Sequence, residues 1–185
     1  NEVEAAVRQR LVHGLPVAHG RNAEAFLGQR ARDEIADLAM VVNDAGVGVL
    51  RLFDADTRRE LPRPDVPIGT VSGVQWHPDS TALAFNLDSA RSPGDVYVLD
   101  VAANRVTRWT ESKVEGLDAS RFAVQQPIEW TSFDGRTISG FIARPPASFE
   151  GRRPVMIQIH GGPESQARPG FLGRWNYYVN ELGIA

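Results

Sequence analysis

Ten consecutive residues, Pro154-Val155-Met156-Ile157-Gln158-Ile159-His160-Gly161-Gly162-Pro163, place a glycine pair and a histidine directly after an apolar run. Two adjacent glycines leave their backbone N–H groups unshielded by any Cβ, and N–H groups aimed at one point stabilise the oxyanion of an acyl transfer. Gly161 and Gly162 are therefore candidate oxyanion donors, with Pro163 setting the exit of the turn. Taken alone, His160 to Pro163 serve equally well as a tight turn from a strand into a helix. A nucleophile is harder to find. Ser165 stands in Pro163-Glu164-Ser165-Gln166, without the flanking glycines of a strained Gly-x-Ser-x-Gly elbow.

Composition narrows the other chemistries. The 185 residues contain no cysteine, so there is no thiolate nucleophile and no Cys-based zinc site. His13, His19 and His77 are scattered without ligand spacing, and neither a metal nor a cofactor is expected. The net charge of −3 comes from interspersed acids and bases, which argues against nucleic acid as a partner. The longest apolar runs fall far short of the ~20 residues that cross a bilayer, so no membrane partner is expected. The compartment stays undecided, with a slight preference for the cytoplasm. Trp76, Trp109, Trp130 and Trp175 are expected to pack in cores, Asp54 and Asp100 to form turns, and Arg152-Arg153 to lie in a solvated turn.

The elements that must position the glycine turn begin with a short amphipathic helix over residues 2–12, where Val3, Ala6, Val7 and Leu11 recur at helical spacing. From Leu38 onward, short apolar runs bounded by Asp, Asn, Gly and Pro predict antiparallel strands. Two stretches repeat. Leu38-Ala39-Met40-Val41-Val42-Asn43-Asp44 matches Leu83-Ala84-Phe85-Asn86-Leu87-Asp88 at an offset of 45, and Leu50-Arg51-Leu52-Phe53-Asp54 matches Val96-Tyr97-Val98-Leu99-Asp100 at an offset of 46. Each copy closes with a further strand, over residues 59–61 and 105–109, and Trp76-His77-Pro78-Asp79-Ser80 forms the turn that precedes the second copy. A repeat of this period built from short strands is the pattern of β-propeller blades. The competing fold is a β-sandwich with a coincidental repeat.

Beyond Lys113 the repeat stops, and residues 112–120 read as a linker. A hairpin follows, with strands over residues 128–133 and 137–143 joined at Asp134-Gly135, whose central positions both tolerate positive φ. Residues 154–160 are expected to form a strand covered on both faces, and residues 170–182 a helix ended by Gly183. The chain thus divides at residue 118: residues 1–118 hold the first helix and about two blades, and residues 119–185 begin a second, α/β unit.

Ser92-Pro93-Gly94-Asp95-Val96-Tyr97, Phe133-Asp134-Gly135, and His160-Gly161-Gly162-Pro163-Glu164-Ser165 followed by Arg168-Pro169-Gly170-Phe171 together resemble the prolyl oligopeptidase family of serine peptidases, nearest its acylaminoacyl-peptidase and dipeptidyl-peptidase-like branch. The resemblance implies the C-terminal blades of a β-propeller followed by the first strands and helix of an α/β-hydrolase domain. It implies a parent enzyme that cuts short peptides with a Ser-Asp-His triad, and an oxyanion loop in which Gly162 donates its N–H and His160 shapes the turn. Other branches carry a tyrosine hydroxyl where this chain has His160, so that side-chain contribution does not transfer. The family's nucleophile, acid and base match no residue here, which implies a fragment that is inert by itself and that packs with the rest of both domains or self-associates. Two other functions share these features: a non-catalytic β-repeat module for binding proteins, and an esterase of the same hydrolase fold.

Overall fold

The computed structural model describes residues 37–54, 56–162 and 164–185; the helix expected over residues 2–12, His13, His19 and Pro163 lie outside them. Among the described residues three antiparallel sheets follow one another. The first is the hairpin of β1 (Asp37–Asp44) and β2 (Val47–Asp54). The second contains β3 (Gly69–Trp76), β4 (Ala82–Ser89), β5 (Ser92–Asp100) and β6 (Arg105–Arg108) in sequential order. The third is the hairpin of β7 (Gln126–Thr131) and β8 (Thr137–Ile142), and one short helix, α1 (Trp175–Asn180), comes last.

Alternation of side chains along the strands builds the core. In β4, Leu83, Phe85 and Leu87 point inward and are no more than 1 % exposed, while Asn86 between them faces solvent. Phe85 stacks on Tyr97, its ladder partner in β5, with ring centroids 5.9 Å apart. Ala39, Leu50 and Leu52 of the first hairpin join Val71, Leu83, Phe85, Leu87, Tyr97 and Leu99 in a single cluster. One hairpin alone cannot bury an apolar face; the four-stranded sheet beside it supplies the missing cover.

The ladders place the sequence repeat in register. Leu38 pairs with Phe53 in the first hairpin, and Leu83 with Leu99 in the second, which are corresponding positions. The offset grows from 45 to 46 because one residue is extra in β5. Leu87 pairs with Asp95 but Asp88 pairs with Pro93, so Gly94, at φ 105°, bulges out of the ladder. A glycine meets that backbone geometry without strain, and the bulge turns Asp95 inward. The closing strand expected at residues 59–61 is reduced to a single bridge, Phe53 with Glu60, backed by the Leu61 N–H donating to the Leu52 carbonyl at 2.9 Å. Its counterpart in the second copy is the full strand β6. The turn expected at His77-Pro78-Asp79-Ser80 forms, closed by the Ser80 N–H on the His77 carbonyl at 2.9 Å, with the Asp79 carboxylate accepting from Thr81.

Several expectations need correction. The third hairpin turns through Ser132–Gly135, with the Gly135 N–H on the Ser132 carbonyl at 3.0 Å; Gly135 takes positive φ and Asp134 does not, so this is a four-residue turn rather than a two-residue one. Trp109 and Trp130 are 71 % and 49 % exposed instead of core, because β6 and β7 each leave a face that no described element covers. Residues 154–160 form no strand ladder. Val155, Ile157 and Ile159 on one face are 65 %, 81 % and 83 % exposed and Met156 on the other is 44 % exposed, so neither face is covered. A strand needs a partner edge, and among the described residues only Ala185 supplies one. The Met156 N–H donates to the Ala185 carbonyl at 2.8 Å and the Ala185 N–H to the Pro154 carbonyl at 3.0 Å, the slanted pattern of a parallel pair around Val155. The helix expected from residue 170 starts only at Trp175, because Pro169, Gly170 and Phe171 are held in non-helical conformation by contacts to the sheets. Gly183 does follow the helix at positive φ. Arg153 is no free surface residue: its guanidinium donates to the carbonyls of Leu182 and Gly183, both at 2.9 Å, and lies over the Phe149 ring.

Candidate functional site

The glycine turn sits at the end of the extended segment 154–160, and His160, Gly161 and Gly162 are all exposed. Gly162 takes φ 99°, a left-handed conformation that an L side chain meets only with strain. Space is not the constraint, since a Cβ there would lie 3.5 Å from Ser165 Cβ, an ordinary contact. The His160 ring folds back so that Nδ1 comes 3.2 Å from the Gly161 carbonyl oxygen. Among the described residues the N–H groups of Gly161 and Gly162 donate to no protein acceptor. Among the described residues the turn therefore leaves two N–H donors exposed at a surface. Ser165 stands three residues beyond Gly162, and among the described residues its hydroxyl makes no hydrogen bond to His160, whose Nδ1 lies against the Gly161 carbonyl.

The arm that follows the turn is held by several side chains. Residues 166–171 lie on the ends of the first two sheets: the Asn43 amide donates to Gln166 Oε1 at 2.6 Å, and the Thr70 hydroxyl to the Pro169 carbonyl at 3.1 Å. Gly170 N–H donates to Gln125 Oε1 at 2.8 Å, and Phe171 N–H to Asp88 Oδ1 at 2.7 Å. The Pro169 side chain is fully buried, and Phe171 meets Phe122 edge to face at 5.7 Å between centroids. The turn of the first hairpin closes on the same arm: a Cβ on Gly46 would lie 2.8 Å from both the Ala167 carbonyl and the Phe141 ring.

A second polar centre lies inside the four-stranded sheet. Asp95, 1 % exposed, accepts from the Ser92 hydroxyl, Arg108 Nη2 at 2.6 Å, Thr110 Oγ1 at 2.8 Å, and the N–H and hydroxyl of Ser112 at 2.9 and 3.0 Å. Burial by itself raises a carboxyl's pKa, but the donors from Ser92, Thr110, Arg108 and Ser112 outweigh it and hold Asp95 well below the usual carboxylate range. Its place is structural: it ties the β5 bulge to β6 and to the chain beyond. Ser112, expected as the start of a loose linker, is thereby anchored to the sheet. Asp54 and Asp100 cap turns as expected, through Thr57 and the Ala103 N–H.

Sequence reasoning missed Asn43, Asp88 and Gln125. Each is an ordinary polar residue at a strand end or in a loop, and only its distant partner makes it informative. Asp95 lay within a quoted motif, but nothing in its neighbours announced burial.

No family model matches the chain. Solved structures do. A puromycin hydrolase is similar at a TM-score of 0.65 with 22 % identity, over 80 % of this chain and 23 % of its own. Prolyl oligopeptidase B from Galerina marginata gives 0.67 with 20 % identity, over 86 % of this chain and 23 % of its own. Dipeptidyl peptidase 4 from Porphyromonas gingivalis gives 0.60 with 17 % identity, over 89 % and 24 %. The chain spans less than a quarter of the length of each. Among the described residues, the succession of antiparallel sheets and one short α-helix thus shares its fold with a segment of peptidases of the prolyl oligopeptidase family.

Proposed function

We propose that this chain is part of a serine peptidase of the prolyl oligopeptidase type, which hydrolyses short peptides by acyl transfer. Residues 1–118 contribute about two blades of a β-propeller, and residues 119–185 the first part of an α/β-hydrolase domain. The observation that carries this reading is the continuity of the shared fold through both parts, up to 89 % of the chain, with the glycine turn following the extended segment. The parallel bonding of Val155's neighbours to Ala185, with α1 between them in sequence, supports the start of an α/β crossover.

In this reading the Gly162 N–H, with Gly161 beside it, donates to the developing oxyanion, and His160 fixes the turn through its contact with the Gly161 carbonyl. A serine, its histidine base and an aspartate come from chain beyond these residues, since among the described residues Ser165 makes no hydrogen bond to His160. Residues 1–185 alone then turn over no aminoacyl-nitroanilide. The native gene product, by contrast, hydrolyses such substrates and is labelled by a fluorophosphonate outside residues 1–185. Labelling of a serine within these residues, coupled to loss of hydrolysis, overturns the assignment. A native product that is neither labelled nor active leaves a non-catalytic binding module.

A further inference from the structure

Asn43 in β1 and Asp88 in β4 are corresponding residues of the two repeated hairpins, paired across their ladders with Gly48 and Pro93. Both grip the same arm of chain. Asn43 spends its two amide atoms differently, Oδ1 accepting from the Gly46 N–H at 2.8 Å and Nδ2 donating to Gln166 at 2.6 Å. Asp88 accepts the Phe171 N–H at 2.7 Å, and its carboxylate lies so close to Gly170 that a Cβ there would be 3.0 Å from Oδ2. Thr70, the ladder partner of Asp88 in β3, holds the intervening Pro169 carbonyl. The repeat therefore presents the same strand position twice, and residues 166–171 lie across both copies.

The glycine turn has no hydrogen bond of its own to the sheets among the described residues, and the clamped arm begins four residues after Gly162. We infer that Asp88, assisted by its repeat counterpart Asn43, is a positioning residue for the glycine turn: by holding the Phe171 N–H and the flush Gly170 it fixes where Gly161 and Gly162 stand over the hairpin ends. A carboxylate suits the task because a charged acceptor makes a stronger bond to a backbone N–H than a neutral one. The latch deepens the oxyanion reading, on which its catalytic meaning rests, but its existence is a property of this chain alone.

Amide hydrogen exchange on the 185-residue chain tests it without any catalysis. In Asp88→Ala the Phe171 amide exchanges at least about 10-fold faster and the Gly161 and Gly162 amide resonances shift or broaden, while the ladder amides of β4 and β5 keep their protection. Asp88→Asn, which keeps an acceptor oxygen, restores most of the protection. Gly170→Ala, which leaves Asp88 intact but pushes the arm off its carboxylate, reproduces the loss. Unchanged exchange at Phe171 in both Asp88→Ala and Gly170→Ala, or Gly161 and Gly162 resonances that stay in place in both, overturns the latch. So does a loss in Asp88→Ala that spreads evenly through β4 and β5 while Gly170→Ala changes nothing, since Asp88 would then serve only its own hairpin. Failure of the peptidase reading shows differently, as a native product without fluorophosphonate labelling whose latch amides are still protected.

Discussion

The four-stranded sheet and the segment from residue 154 to the glycine turn are both rich in aliphatic side chains, yet they differ in almost every physical respect. In the sheet, Leu83, Leu87 and Leu99 are no more than 1 % exposed, and the one buried carboxylate, Asp95, has all its donors at hand. In the segment, Ile157 and Ile159 are more than 80 % exposed and the glycine N–H groups are uncommitted. The sheet and the first hairpin close one interior together; the segment carries an apolar surface and a pair of donors for which no described residue is the counterpart. Stability thus resides in the closed sheet, while the proposed oxyanion turn lies where the described residues are least closed.

Core truncation should sharpen that contrast most. Phe85→Ala is expected to cost about 3–5 kcal/mol in urea unfolding, because it empties a stacked site in the cluster. Ile157→Ala should stay within about 0.5 kcal/mol, as expected of an exposed position. Equal costs would erase the distinction between the regions.

Removing Asp95 comes next. Asp95→Ala leaves Arg108 and three hydroxyls without their acceptor, at an expected cost of about 3 kcal/mol. The same carboxylate makes stability depend on acid. Because its pKa is lowered on folding, the unfolded chain binds the proton first. Its contribution is therefore complete above the ordinary carboxylate value of about 4 and declines as pH falls below it. Unfolding midpoints measured from pH 7 down to pH 3 should drop, and Asp95→Asn should flatten part of the drop. A slope unaltered by the substitution would assign it to the exposed carboxylates instead.

The open segment makes the opposite kind of prediction. Its apolar side chains should drive concentration-dependent self-association, visible in sedimentation, and Ile157→Lys with Ile159→Lys should reduce it with little change in unfolding midpoint. A strictly monomeric parent chain at high concentration would show that exposure there has no consequence. A modest effect is expected of Gly162→Ala, about 1 kcal/mol from placing a side chain at φ 99°. In the native gene product the same change should lower kcat far more than it lowers stability if the turn holds an oxyanion.

Much of this was legible in the residues themselves. The repeat located the two hairpins to the correct register, and the change of offset from 45 to 46 even encoded the bulge at Gly94, although only the ladder revealed which residue was extra. Asp134-Gly135 located its hairpin while giving the wrong turn length. Local signals work there because strand alternation and turn geometry depend on neighbours in the chain. The segment 154–160 misled for the complementary reason: an apolar run states what a strand would bury but cannot supply the partner that buries it.

The sequence by itself determined the period of the strands, the two repeated hairpins and the glycine pair, since each follows from backbone preference and side-chain alternation over a few residues. Only the tertiary structure decided that Asp95 is buried, that Arg153 caps the chain after α1, and that Asn43, Thr70, Asp88 and Gln125 converge on residues 166–171. Those facts rest on groups brought together from as many as 123 positions apart, and a hydrogen bond depends on the distance and angle between its atoms rather than on their separation along the chain.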